Sequence, residues 1–328
     1  MFVEAIEDIL RDQCTPAVVR SIDAGQSPAT LWSAVADAGF LELLAPEEDG
    51  GAGLALAALF PILTTLGRHA MPLPLAQSIV SRALLGPQAE IPQGMLTLAP
   101  ALRRLDDGRL VCPLVPFGAL ADYVLAQDEG QLLILPGAAA LSTPAGVHGS
   151  LAATLAWQPG VARRQVALAD GALAACGAAL HAALLAGAMQ RVFDMTLQYA
   201  NERSQFGKSI GKFQAIQHQI SVMAEQVAAA SIAAEAAFQG DAMLPAPLVS
   251  AIAKARTSEA AGLVASIAHA VHGAIGVTEE YELQLHTRRL HEWRMAHGSE
   301  AHWNPVIGRS VLASSAPSLT DFIRSIGA

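Results

Sequence analysis

This sequence is poor in charge. Only 15% of its 328 residues are charged and 5% are aromatic, against 52% hydrophobic and a mean hydropathy of +0.38. Such a composition raises the question of a membrane protein, yet no stretch has the character of a span. The longest charge-free run, between Glu129 and Arg163, is broken by Pro136, Pro144 and Pro159, and proline interrupts a helix. The run from Gly171 to Gln190 is mostly Ala and Gly, carries His181, and has too little Leu, Ile or Phe to drive insertion. Basic residues are short as well: 20 Lys and Arg against 29 Asp and Glu, a formal charge of −9. Nonspecific nucleic-acid binding needs a basic surface, so that class is excluded. The opening Met1–Asp8 is acidic where a targeting peptide is basic, and a cytoplasmic location is expected. Cys14, Cys112 and Cys176 are odd in number, far apart and without a CxxC pattern, which argues against a disulfide frame and a zinc site.

What is present divides into three textures. Residues 1–87 read as short helices: Ser27-Pro28 is a helix start, with Leu31, Trp32, Val35, Ala36 and Phe40 at helical spacing after it. Residues 88–168 carry short apolar runs between Gly, Asp and Pro, such as 110–115, 123–126 and 131–135, and predict a small antiparallel β domain. Residues 169–328 return to long apolar helices over about 170–202, 212–239, 246–272 and 279–296, a pattern that favours a bundle. No internal repeat or low-complexity tail is visible.

The one concentration of basic residues lies between the first two long helices. Arg203, Lys208 and Lys212 surround Gly207 and Gly211. Glycine admits close backbone approach and arginine forks onto phosphate oxygens, so this is a candidate anion site; a solvated basic loop is the plain alternative.

The wording of that segment is more specific than its charge. Arg203-Ser204-Gln205-Phe206-Gly207-Lys208, followed by Phe213-Gln214-Ala215-Ile216-Gln217-His218, closely resembles the flavin-binding signature of the acyl-CoA dehydrogenase family. Pro46-Glu47-Glu48-x-Gly50-Gly51-x-Gly53 resembles the family's N-terminal motif, and His272-Gly273-Ala274-Ile275-Gly276-Val277-Thr278 its glycine-rich element. The resemblance implies a mainly α fold with a small β domain: an N-terminal helical domain, a middle β-barrel and a C-terminal four-helix bundle. It also implies FAD, an acyl-CoA substrate, α,β-dehydrogenation with hydride passing to flavin N5, and an electron-transfer flavoprotein as acceptor. By motif position, Arg203 meets the FAD pyrophosphate, and Phe206 and Gln214 line the adenosine. His272, Gly273, Gly276 and Ser299 are the remaining cofactor positions. These contacts reach across to a FAD held mainly by another subunit, so the resemblance implies a homo-dimer or tetramer, or a heterotetramer with a paralogous chain.

The family's Glu-Gly-Thr base element falls on His297-Gly298-Ser299, with histidine in place of the glutamate and Glu300 three residues beyond the base position. Ala274 and Ala270 replace a glycine and a glutamine of the glycine element. A second base position known in the family falls on Glu259. Glu259, Leu263, Ile267 and Val271 share helical spacing, and a carboxylate on an apolar stripe is desolvated, which raises its pKa as a general base requires. The competing reading pairs Glu259 with Arg256 at the end of a helical turn. His297 is the alternative base, and a third possibility is that the base belongs to a partner chain. Six histidines fall between 269 and 302, but no acidic or cysteine ligands match them, and no metal is expected. Arg288, Arg289 and Arg294 read as a solvated or subunit-facing surface, and Thr97 and Trp157 are loose candidates for flavin-ring contacts. Two functions follow: an FAD-dependent acyl-CoA dehydrogenase with Glu259 as base, or a non-catalytic half-site subunit supplying FAD contacts to a catalytic partner. A flavin monooxygenase on the same fold is a weaker third.

Overall fold

The computed structural model of the chain describes residues 1–86, 94–147, 149–240 and 242–326. The boundary expected at 87/88 lies outside the described residues. Five helices come first: α1 (Phe2–Gln13), α2 (Pro16–Asp23), α3 (Ala29–Asp37), α4 (Leu56–Arg68) and α5 (Leu75–Leu85). Thr15 caps α2 by accepting from the Val18 N–H at 3.4 Å, with Pro16 at the first helical position, where its missing N–H costs nothing.

Eight strands follow: β1 (Leu96–Leu98), β2 (Arg103–Arg104), β3 (Leu110–Val115), β4 (Tyr123–Asp128), β5 (Gln131–Pro136), β6 (Leu141–Pro144), β7 (Ala153–Trp157) and β8 (Arg163–Ala167). They form two four-stranded sheets, ordered β1-β4-β5-β8 and β2-β3-β7-β6. Val124, Ala126, Leu133 and Leu135 face a core shared with Cys112, Leu155 and Trp157 of the second sheet. Their alternating neighbours Leu125, Leu132 and Ile134 join the helical core instead. The period-2 alternation thus buries the first sheet on both faces. The pairing departs from all-antiparallel at one place, since β1 runs parallel to β4, with Leu96 opposite Tyr123. The Ser78 hydroxyl anchors the start of β1. It donates to the Leu96 carbonyl at 2.9 Å and accepts from the Leu96 N–H at 3.0 Å, so β1 leaves from the side of α5.

The C-terminal part contains α6 (Ala172–Glu202), a hairpin of β9 (Ser204–Gln205) and β10 (Lys208–Ser209), α7 (Gln214–Ala236), α8 (Pro247–His272), α9 (Leu283–Met295), α10 (Glu300–Ala313) and α11 (Leu319–Ile326). α6 is apolar and long enough to cross a membrane, yet 89% of its most apolar window is buried inside the fold. It is the core helix. Its crossing with α4 depends on two glycines: a Cβ on Gly187 would fall 1.9 Å from the Thr64 oxygen, and one on Gly67 would fall 2.2 Å from the Leu184 oxygen. Each fully buried leucine along α6, such as Leu180 and Leu185, contributes about 1.5–3 kcal/mol relative to exposure.

Candidate flavin and proton-transfer sites

The flavin-signature segment folds as a tight hairpin at the end of α6. Phe206 and Gly207 both take positive φ, 50° and 79°, as a two-residue turn matched to the strand twist requires. The turn leaves Phe206 91% exposed. Phe213 backs it edge-on at 6.3 Å, with the Lys208 ammonium 4.3 Å from the Phe213 ring centre. Arg203 and Gln214 are exposed on either side. The hairpin therefore presents a cation, an aromatic ring and an amide outward, as an anionic nucleotide docking from outside needs.

The glycine element reaches the same end of the bundle. The Tyr199 ring, one turn before Arg203, stacks on His272 at 4.4 Å. His272 is itself buried: its Nδ1 pairs with the Ala268 carbonyl at 2.8 Å, and its Nε2 meets the Tyr281 hydroxyl at 3.4 Å. The ring is thus engaged within the chain. Gly273, with φ 63°, has open space where a Cβ would stand, whereas a Cβ on Gly276 would press on His272 at 2.9 Å. His269 Nε2 pairs with the Thr287 hydroxyl at 2.9 Å, and among the described residues no cluster of three or more His, Cys, Asp or Glu is arranged to hold a metal ion.

His297 lies at the other end of α6. A Cβ on Gly177 would fall 2.2 Å from the His297 ring, so the imidazole occupies the room a side chain at 177 would need. From Gly177 to Tyr199 the helix runs roughly 33 Å at 1.5 Å per residue. The ring is 3% exposed, lies 5.1 Å from the His181 ring and has the Leu98 backbone as a polar neighbour. Burial, reinforced by His181 and Lys254, holds the His297 pKa well below its ordinary value; burial likewise brings His181 down to about 3. Both rings are neutral near pH 7.

Lys254 closes this cluster. Its ammonium is fully buried and donates to the Ser258 hydroxyl at 2.8 Å, the Arg294 carbonyl at 2.7 Å and the Gly298 carbonyl at 2.8 Å. Burial lowers its pKa to about 7. The lysine thereby clamps the segment that carries His297, Gly298 and Ser299. The Ser299 carbonyl receives the His302 and Trp303 N–H groups as α10 begins. Glu300 does not face His297 as a free carboxylate, because Arg294 holds it in a two-pronged ion pair.

Glu259 stands elsewhere. Ser258 and Lys254, four apart, turn towards the His297 segment, and Glu259 lies a further 100° around α8. Its side chain is 71% exposed and sits 3.5 Å from the Arg256 guanidinium, and Arg256 in turn reaches Gln226 of α7 at 2.6 Å. The desolvation expected from the apolar stripe is not supplied by this chain. The ring-contact candidates are engaged too. The buried Thr97 hydroxyl donates to the Pro116 carbonyl at 2.7 Å, and the Trp157 indole N–H to the Pro136 carbonyl at 2.8 Å. Beside the segment before His297, between Leu114, Phe117, Trp293 and Ala296, remains an apolar cavity of about 90 Å³. That is well short of the roughly 300 Å³ at which ligand pockets begin. The exposed hairpin residues of this chain therefore have the chemistry to hold the phosphates and adenine of FAD, whereas Thr97 and Trp157 are already bonded within the β domain.

A helical, β and helical order with an outward flavin-signature hairpin defines a class, and direct comparison agrees. Residues 1–88 match the acyl-CoA dehydrogenase N-terminal domain, and residues 169–312 the acyl-CoA dehydrogenase C-terminal domain. The chain belongs to the acyl-CoA dehydrogenase family, oxidoreductases acting on acyl-CoA. It is 30% identical to acyl-CoA dehydrogenase IpdE2 of Mycobacterium tuberculosis over 300 residues, covering 89% of this chain and 90% of that protein. The IpdE2 of Mycolicibacterium smegmatis is likewise 30% identical, over 299 residues, covering 88% and 90%. In fold it is similar to the ChsE4–ChsE5 complex from Mycobacterium tuberculosis, with a TM-score of 0.84 at 23% identity over 96% of this chain and 97% of that one. It also resembles PigA with FAD and proline, with a TM-score of 0.74 at 17% identity over 94% and 96%.

Proposed function

We propose that this chain is one subunit of a heteromeric, FAD-dependent acyl-CoA dehydrogenase, and that it contributes flavin contacts to a paralogous partner rather than the proton-abstracting base. The observation that carries this reading is the closure around His297. The residue in the base register is a buried neutral imidazole wedged against Gly177 and clamped by Lys254. Among the described residues, no unpaired carboxylate lines the small cavity beside it; Glu292, the one acid there, is held by Arg289 and Ser150. The hairpin with Arg203, Phe206 and Gln214 is exposed and roughly 33 Å away along α6. A cofactor touching that hairpin is therefore not one that His297 serves. Two structural neighbours support a heteromer, the ChsE4–ChsE5 complex and the Tcur3481–Tcur3483 steroid ACAD, and the second supports a bulky acyl group.

The exposed Arg203 guanidinium would fork onto pyrophosphate oxygens, and Phe206 would cover an adenine face. Bound there, FAD supplies the hydride-accepting chemistry of the family. A second reading keeps Glu259 as base. Leu263, one turn on, is 42% exposed, so a subunit covering this face of α8 would desolvate the carboxylate and raise its proton affinity. The two readings separate on flavin spectra and turnover of the chain purified alone and with its paralogue. The half-site reading expects no turnover alone, turnover in the assembly, and loss of bound flavin in the assembly with Arg203→Gln. Full turnover by the chain alone would sink it.

A further inference from the structure

A second polar site lies away from both ends of α6. A cavity of about 280 Å³ opens between α1 and α2, the end of α4, α6 and the start of α9. We propose that it binds a phosphate-sized oxyanion, held by the guanidinium groups of Arg68 and Arg191 and by Nδ1 of His286. This goes beyond the half-site reading and does not depend on it.

His286 carries the proposal. It lines the cavity, is 6% exposed, and its Nδ1 is buried with no hydrogen-bond partner among the described residues. A buried polar atom left unpaired is costly, and a ligand that accepts from it removes the cost. His286 sits in the first turn of α9, where unpaired backbone N–H groups and the helix dipole favour an anion. The field at the ring is positive as well. Burial and then Arg191, His69, Arg289 and Arg68 bring its pKa down to about 3.

The arginines can turn to a ligand. Arg191 meets Glu282 at a loose 3.4 Å, and Arg68 meets Asp194 at 3.0 Å; each side chain is 38% exposed. Asp194 is shared with the Gln190 amide at 2.9 Å. Of the other charged groups on the wall, Glu7 faces His69 at 3.0 Å and Arg11 is held by Asp8 and Asp12. A tetrahedral dianion matches this set, because two guanidinium forks and one imidazole N–H can each take a separate oxygen.

The test is isothermal titration of the full chain in chloride buffer at pH 7.5 with inorganic phosphate and, separately, with adenosine 5′-monophosphate. The proposal expects saturable binding, an upward shift of the His286 pKa by NMR on saturation, and a tenfold or greater loss of affinity in Arg191→Gln and in Arg68→Gln. Arg103→Gln, on exposed β2, leaves binding unchanged. Measured in the Arg203→Gln background, which removes the hairpin's phosphate contact, tighter binding of the nucleotide that Arg68→Gln and Arg191→Gln abolish assigns a phosphate ester as the occupant, and equal binding assigns free phosphate. Saturable binding of neither overturns the site, as does binding that Arg68→Gln and Arg191→Gln leave intact while both variants retain the native circular dichroism.

Discussion

Gly177→Ala measures directly whether His297 fills the space the structure gives it. The added methyl would stand 2.2 Å from two atoms of the His297 ring, a distance no Cβ tolerates. Overpacking of this kind costs about 1–3 kcal/mol, while alanine in place of a helical glycine gains about 1 kcal/mol. In the wild-type background the change is therefore neutral to about 2 kcal/mol destabilising. With His297→Ala the obstruction is gone, so Gly177→Ala stabilises by about 1 kcal/mol or more as it fills the void. Urea unfolding of the four proteins of this cycle should give a coupling energy of about 1–3 kcal/mol. A coupling under about 0.5 kcal/mol would mean that the imidazole points elsewhere, and the reading of a closed base register would fail with it.

Other outcomes follow from the same contacts. Lys254 has a folded pKa of about 7 against 10.5 when unfolded, so the unfolded state binds more protons between those values and the lysine's contribution to stability rises with pH across that window. Lys254→Met should flatten the slope of unfolding free energy against pH there by up to about one proton relative to wild type; an unchanged slope refutes it. His181 and His286, both down at about 3, contribute stability that is present above pH 6.5 and lost as pH falls towards 3. His181→Leu should weaken that acid limb, as read by thermal melts from pH 7 to 4. Asp23→Asn removes one of the two carboxylates facing the Arg289 guanidinium, 3% exposed, while Glu292 stays at 3.0 Å, and should cost about 1.5–3 kcal/mol in urea unfolding. Phe206→Ala, at a 91% exposed turn position, should change the stability of the chain by less than about 0.5 kcal/mol while weakening flavin retention in the assembly.

The long helices were largely legible in the residues. Pro247 opens α8 where proline is tolerated, and the apolar run after Gly171 is the core helix α6. The hairpin was legible through Phe206-Gly207 and the flanking cations. Glu259 shows where periodicity misleads. Residues four apart advance 40° around a helix, so the series Glu259, Leu263, Ile267, Val271 rotates from solvent to core: the carboxylate is 71% exposed, then the apolar residues are 42%, 8% and 6% exposed. A stripe that drifts this far does not bury its first member. Lys254 and Ser258 were missed because a lysine in an Ala-rich helix reads as solvated; the signal was its flanking by Ala253 and Ala255, both buried. The cavity at His286 has no local signature, since Arg68, Arg191 and His286 come from three helices far apart in the chain.

The central claim is that neither Glu259 nor His297 of this chain is the proton-abstracting base of the assembly. Steady-state turnover of the reconstituted heteromer carrying both Glu259→Gln and His297→Ala tests it most directly, with flavin content and assembly verified. The account predicts a rate within about twofold of wild type. A fall of a hundredfold or more, about 2.7 kcal/mol of lost transition-state stabilisation, with flavin and assembly intact, would contradict it.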